Sequence, residues 1–226
     1  RNLMTVRVAQ YLGVDKIANF TKRMNIYEKP EELLSISLGS AETTLLNLTS
    51  AYCSFVNGGK LIKPVLIDRI QDSEGNTIIN NENRKCVNCD KISFTGKEFP
   101  KIEDDYEKVL SPQTAYQVTS ILQGVVERGT GKKLNKLGLN LGGKTGTTND
   151  NTDAWFIGFT SDLVIGVYVG MDNPQSLGKF ETGSKAALPI FEEFIKKGIK
   201  KSEARPFKIP DEITLMVVDP NTGNKA

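Results

Sequence analysis

The run Leu141-Gly142-Gly143-Lys144-Thr145-Gly146-Thr147-Thr148 holds the residue types best placed to do chemistry. Gly138 and Gly143-Lys144-Thr145 formally fit a phosphate-binding loop of Gly, four residues, Gly-Lys-Thr. Such a loop must open directly into a helix whose N-terminus holds the phosphates. Here Gly138 lies inside an alternating pattern, and Gly-Thr-Thr-Asn-Asp-Asn at 146–151 breaks helices, so the match reads as accidental. The competing reading is Lys-Thr-Gly on an edge strand. It lines a cleft with an ammonium, small hydroxyls and bare backbone, which suits a carboxylate-bearing substrate and an acyl transition state. Gly146 would let the substrate backbone approach closely.

Composition narrows the chemistry further. The 226 residues contain no histidine, which excludes a Ser-His-Asp or Cys-His pair, a His-ligated zinc and an imidazole base. Acid–base work must therefore fall to Lys, carboxylates, Tyr or Cys. With 29 Lys+Arg against 27 Asp+Glu, net charge +2, there is no electrostatic footprint for nucleic acid or an anionic membrane surface. Three cysteines are too few for a disulfide framework. Cys86 and Cys89 could be half a zinc site, a redox pair or a small disulfide, and Cys53 reads as a packed core residue. No metal or cofactor is expected. The longest apolar run, Leu163 to Met171, is too short to span a membrane, and no signal peptide is visible.

The elements that must position Lys144 follow from periodicity. Residues 3–24 predict two helices separated near Gly13, and Glu42–Phe55 a third, stopped by Asn57-Gly58-Gly59. Ile62–Ile70 and Thr77–Ile79 predict a strand–turn–strand unit, and residues 80–105 an exposed polar excursion containing the Cys pair. Ser111-Pro112 should cap a helix to about Glu127, with Ala115, Val118, Ile121, Leu122 and Val125 inward. Leu137, Leu139 and Leu141 alternate as a strand into the glycine-rich run, and Ala154–Thr160 and Leu163–Gly170 predict two more strands. Leu188 to about Lys201 predicts a closing helix with Ile190, Phe191, Phe194 and Ile195 on one side. The class expected is α+β, an antiparallel meander flanked by helices.

The ordered motifs resemble a family. Arg1-Asn2-Leu3-Met4-Thr5-Val6-Arg7 is similar to the sequence after the Ser of a Ser-x-Asn motif. Together with Ser37-Leu38-Gly39, Asn57-Gly58-Gly59, Gly129-Thr130-Gly131, Gly143–Thr148, Asp153-Ala154-Trp155-Phe156 and Val169-Gly170-Met171-Asp172, the chain resembles a class A penicillin-binding protein over about residues 1–200. It corresponds to the C-terminal part of the transpeptidase domain (1–205), with 206–226 a linker or the start of a C-terminal extension. The resemblance implies a penicillin-binding transpeptidase or serine β-lactamase-like fold. It also implies a parent anchored in the bacterial cytoplasmic membrane, this domain facing the periplasm, with a glycosyltransferase domain elsewhere.

The implied reaction is D-Ala-D-Ala transpeptidation of peptidoglycan stem peptides by a serine acyl-enzyme, which β-lactams also acylate. By position, Asn2 is the Asn of Ser-x-Asn, contacting the donor amide and the lysine. Lys144 sets the electrostatics of the cleft and supports proton transfer. Thr145 and Thr147 offer hydroxyls to the substrate carboxylate, the Thr147 N–H is one oxyanion donor, and Gly146 keeps the strand clear. The nucleophilic Ser-x-x-Lys is not within these residues; Ser176-Leu177-Gly178-Lys179, the one matching string, reads as loop. The chain is thus expected to be a fragment, inactive alone. A silent peptide-binding domain of this fold, a β-lactamase-like hydrolase and a nucleotide-binding domain are the alternatives. Asp153 reads as a turn residue, Glu103-Asp104-Asp105 as a solvated run, and Glu192-Glu193 with Lys196-Lys197 as a solvated, ion-paired face. An oxidising periplasm favours a disulfide for Cys86 and Cys89.

Overall fold

The computed structural model describes residues 2–82, 84–87, 89, 101–200, 204–219 and 222–225. Arg1, the end of the closing helix expected at Lys201 and the stretch 90–100 lie outside the described residues. Helices α1 (Asn2–Leu12) and α2 (Val14–Arg23) are separated at Gly13, whose φ of 96° is open to glycine and strained for other residues. A 3-10 turn at Leu34–Leu38 precedes α3 (Leu45–Val56). That helix starts three residues later than the apolar pattern suggests, because Thr44 is its cap: the Thr44 Oγ1 accepts from the Asn47 N–H at 3.1 Å.

Two exposed ribbons come next. β1 (Arg69–Gln71) pairs with β2 (Thr77–Asn80), and β3 (Arg84–Val87) with β4 (Lys101–Asp104). The first is shorter than expected, since residues 62–68 around Pro64 join no strand. The second gives paired strands to what the sequence marks only as a polar excursion. Cys86 and Cys89 are disulfide-bonded at its end, with Cα atoms 5.6 Å apart. Asp104, expected in a solvated run, instead pairs with Lys60 at 2.5 Å and ties β4 to the body.

Helix α4 (Pro112–Arg128) begins as predicted, with the Ser111 Oγ accepting from the Thr114 N–H at 3.1 Å. Its buried stripe runs through Ala115, Thr119, Leu122 and Val126, while Ile121 turns outward at 69% exposure. Thr119 belongs inside because its hydroxyl donates to the Phe55 carbonyl of α3 (2.9 Å). A 3-10 helix at Lys132–Leu137, ended by Gly138 at φ 65°, replaces the strand expected at Leu137–Leu141. Those leucines pack into the core from a helical turn and a loop, so their period of two arises by coincidence.

The three-stranded sheet is the predicted antiparallel meander, in the order β5 (Gly142–Thr147), β6 (Ala154–Phe159), β7 (Val164–Val169). Helix α5 (Ala187–Gly198) covers one face and α3 the other. Phe156 meets Phe191 edge-to-face at 4.9 Å, and Phe159 lies over Tyr52 at 6.5 Å. Gly158 permits this fit, as a Cβ there would lie 2.5 Å from the Phe191 ring. The inward stripe of α5 is Leu188, Phe191, Glu192 and Ile195, whereas Ile190 and Phe194 are half-exposed on the neighbouring face. Glu192 is therefore buried, contrary to expectation. It is offset by Lys136 at 2.9 Å and Lys196 at 2.7 Å, whose hydrogen bonds hold its carboxyl below the usual range.

Phe191 is fully buried and Ile190 is not, which separates their substitutions. Phe191→Ala should cost about 3–5 kcal/mol. Ile190→Ala should fall within about 0.5 kcal/mol of wild type by denaturant unfolding.

Candidate active site

The site is the open edge of β5. Strand β5 ends the sheet, and its register with β6 pairs Lys144 with Ile157, Thr145 with Phe156 and Thr147 with Ala154. One residue on, the Thr148 N–H donates to the Asp153 carbonyl at 3.2 Å. Along an antiparallel strand, residues alternate between facing the partner and facing away. The N–H and C=O groups of Gly142, Lys144 and Gly146 therefore point to β6, and those of Gly143, Thr145 and Thr147 point to the open edge.

Side chains alternate between faces in the same way. Lys144 shares its face with Ile157, beside α3, and Thr145 and Thr147 share the α5 face with Phe156. The lysine nevertheless reaches the edge, because its Nζ donates to the outward Thr145 carbonyl at 2.6 Å. Lys144 is exposed as a residue, yet the protein packed around its ammonium removes part of its hydration. That desolvation lowers its pKa from the ordinary value. Among the described residues no carboxylate pairs with it. An under-hydrated, unpaired ammonium beside an outward N–H is an anion-receiving arrangement.

Two residues outside the strand complete it. The Thr130 and Thr145 hydroxyls lie 2.9 Å apart, and the Gly183 N–H donates to the Thr147 Oγ1 at 3.0 Å. The Gly129-Thr130-Gly131 motif is visible in the sequence as one of the motifs of the family resemblance, but without a site role for Thr130. Gly183 escapes sequence reasoning; its only signal is Thr-Gly-Ser, small residues before a helix. A side chain on Gly183 would collide with the carbonyl oxygens of Gly146 and Trp155, so only glycine lets this segment lie on the sheet.

The turn after β5 is built by Asp153. Its N–H donates to the Thr148 Oγ1 (2.8 Å), and its carboxylate accepts from the Tyr168 hydroxyl (2.7 Å), a structural duty. Asn151 fastens the loop at 178–179 to that turn through two Nδ2 hydrogen bonds. Ser176 lies in this loop, and its Oγ accepts from the Gly178 N–H. Asn2 opens α1 and is exposed; among the described residues no hydrogen bond joins it to Lys144 or Thr145. Lys144, Thr145, Gly146 and Thr147 are thus brought together with Thr130 and Gly183, and Asn2 is not tied to them. The described residues contain no cluster of three potential metal ligands and no helix long and apolar enough to cross a membrane.

The helix-backed meander with this edge strand is a penicillin-binding transpeptidase fold. The penicillin binding protein transpeptidase domain family matches residues 1–196, and the chain belongs to that family. It is 44% identical over 226 residues to Penicillin-binding protein 1A of Rickettsia felis, covering 98% of this chain and 28% of that protein. The chain thus spans less than a third of the length of such relatives. The crystal structure of Penicillin-binding protein 1A from Haemophilus influenzae superposes with a TM-score of 0.81 at 30% identity, covering 100% of this chain and 38% of that one. Penicillin-binding protein A from M. tuberculosis, solved as a ceftriaxone acyl-enzyme complex, gives a TM-score of 0.64 at 18% identity, over 88% of this chain and 46% of that one, a likeness of fold.

The lowered pKa of Lys144 has a sign. Unfolding lets the lysine bind its proton more tightly, so its desolvation opposes folding at neutral pH. Stability should recover as pH rises through the folded pKa toward that of a free lysine. Relative to wild type, Lys144→Met should gain urea stability at pH 7 and lose that advantage near pH 10.

Proposed function

We propose that this chain is part of a peptidoglycan D,D-transpeptidase that works through a serine acyl-enzyme. The observation that carries the reading is the edge of β5. There the Lys144 ammonium, the outward Thr147 N–H and the Thr145 and Thr147 hydroxyls share one open strand edge. A donor stem peptide ending in D-Ala-D-Ala would add to that edge as an antiparallel strand. Its terminal carboxylate would meet Lys144 and the two threonine hydroxyls. The scissile carbonyl would place its developing oxyanion on the Thr147 N–H.

The nucleophilic serine is assigned to a Ser-x-x-Lys segment of the parent outside these residues. Its oxygen bonds to the carbonyl carbon, its proton passes to a lysine base, and the C–N bond breaks to release D-Ala as the amine takes a proton. An acceptor amine then displaces the serine. Asn2 acts as the Asn of Ser-x-Asn, contacting the donor amide. Gly146 leaves room for the incoming backbone. β-Lactams acylate the same serine, a role supported by the acyl-enzyme complex of the related fold. The parent sits in the bacterial cytoplasmic membrane with this domain in the periplasm, and carries a peptidoglycan glycosyltransferase domain as well. Residues 1–205 form the C-terminal part of the transpeptidase domain, and 206–226 are a linker or the start of a C-terminal extension. No cofactor or metal takes part.

Labelling with a fluorescent penicillin tests this. Protein carrying the whole transpeptidase domain should be labelled covalently, Lys144→Ala should lose at least 90% of the label, and the 226-residue chain should take none. A folded whole domain that takes no label would overturn the acyl-enzyme reading.

A further inference from the structure

The edge of β5 presents hydroxyls whose direction is set from elsewhere. A threonine hydroxyl has one hydrogen to donate and two lone pairs that accept. The Gly183 N–H can only donate, so the Thr147 Oγ1 accepts from it and keeps its own hydrogen for another partner. Among the described residues nothing accepts that hydrogen. On the same face, the Thr145 Oγ1 shares a hydrogen bond with the Thr130 Oγ1, which arrives from the end of α4, fifteen residues away.

Both contacts depend on the fold. The Thr182 carbonyl accepts from the N–H groups of Lys185 and Ala186 (2.8 Å each), and the Gly183 carbonyl accepts from Leu188 (2.9 Å), fixing Gly183 at the start of α5. Thr130 is fixed by the turn that closes α4, where the Gly129 and Gly131 N–H groups both donate to the Val125 carbonyl. Neither Thr130 nor Gly183 belongs to the strand motif.

We infer that Thr130 and Gly183 are positioning residues that aim the Thr145 and Thr147 hydroxyls at the carboxylate of the bound acyl donor. The inference rests on the acyl-enzyme reading given above and adds to it which residues hold the hydroxyls of the carboxylate site in place. Gly183 makes Thr147 a hydroxyl donor. Thr130 holds the Thr145 hydroxyl in one rotamer, so that neither hydroxyl must reorganise when the anion arrives. Their contribution belongs to binding of the carboxylate, not to bond formation at the carbonyl.

The test uses protein carrying the whole transpeptidase domain and two probes, a penicillin and its methyl ester, which has no carboxylate. Thr130→Val removes the hydroxyl while keeping the shape, Thr130→Ser restores it, and Gly183→Ala pushes the N–H away from Thr147. For the free acid, Thr130→Val and Gly183→Ala should lower the second-order acylation rate about tenfold, the scale of one charge-assisted hydrogen bond. For Thr130→Val the loss should lie in the concentration needed for half-saturation, with the limiting acylation rate unchanged. Thr130→Ser should restore wild-type behaviour, and the slower acylation by the ester should be the same in wild type, Thr130→Val and Thr130→Ser.

In Thr130→Val, an equal loss for acid and ester, or a loss confined to the limiting rate, would show a general structural role and overturn the inference. Wild-type acylation in Thr130→Val and Gly183→Ala, with Lys144→Ala inactive, would overturn it while leaving the acyl-enzyme reading intact. Acylation unaffected by Lys144→Ala would overturn the placement of the donor carboxylate at this strand edge and this inference with it, whereas a folded whole domain that takes no label would overturn the acyl-enzyme reading itself.

Discussion

A strand at the edge of a sheet must leave half its backbone groups unpaired, and here that strand carries Lys144, Thr145 and Thr147. The fold is arranged so that β5 is fixed on every side except this edge. β6 takes its inward N–H and C=O groups, and Phe156 and Ile157 from β6 seat the sheet against α5 and α3. Lys144 and the two threonines leave the strand on opposite faces. They can serve one ligand only where both faces meet, and they meet at the edge. The Lys144 hydrogen bond to the Thr145 carbonyl returns the ammonium there.

The edge is also where the electrostatic cost falls. An ammonium short of water and, among the described residues, without a counter-ion is held by a carbonyl and by its place on the strand. A carboxylate arriving at that position would supply the missing partner. Sites organised for a ligand trade stability for readiness in this way. Glu192 shows the opposite solution in the same molecule. Its carboxylate lies inside but receives two ammonium groups, and so serves the fold alone.

The legible parts of the sequence are those set by local chemistry. Ser111-Pro112 announces α4 because capping is local, running from Ser111 to the Thr114 N–H three residues on. Lys144 to Thr147 stands out because glycine and small hydroxyls in a strand have few purely structural reasons to recur together. The ribbon β3–β4 is illegible because all but one of its residues are exposed, and with no face turned to a core no alternation arises. Leu137, Leu139 and Leu141 mislead for the converse reason: all three contribute to the core, but from a 3-10 turn and a loop. Ile121 and Phe194 look inward by their apolar character, and a rotation of one residue about the helix axis sends them out. Thr130 and Gly183 meet the site across 15 and 36 residues of chain, a separation that no window of residues contains.

The two ends of β5 are held by different physics. Before the strand, Leu134 and Leu141 are buried with Val126 and Ile195, and Lys136 reaches across to Glu192 on α5. At its far end, Gly183 clasps Thr147 and Asp153 closes the turn. Helix α5 is therefore tied to both ends of β5, through Glu192 in its middle and through the segment that leads into its first turn. A displacement of α5 along the sheet would move the Gly183 N–H relative to Thr147 while the Lys136–Glu192 pair resisted it. The Thr147 hydroxyl and Phe191 in the core thus both meet α5 or the segment that leads into it. The ring of Phe191 packs on Phe156 of the sheet, and the segment leading into the same helix carries the Gly183 N–H that meets Thr147 at its rim.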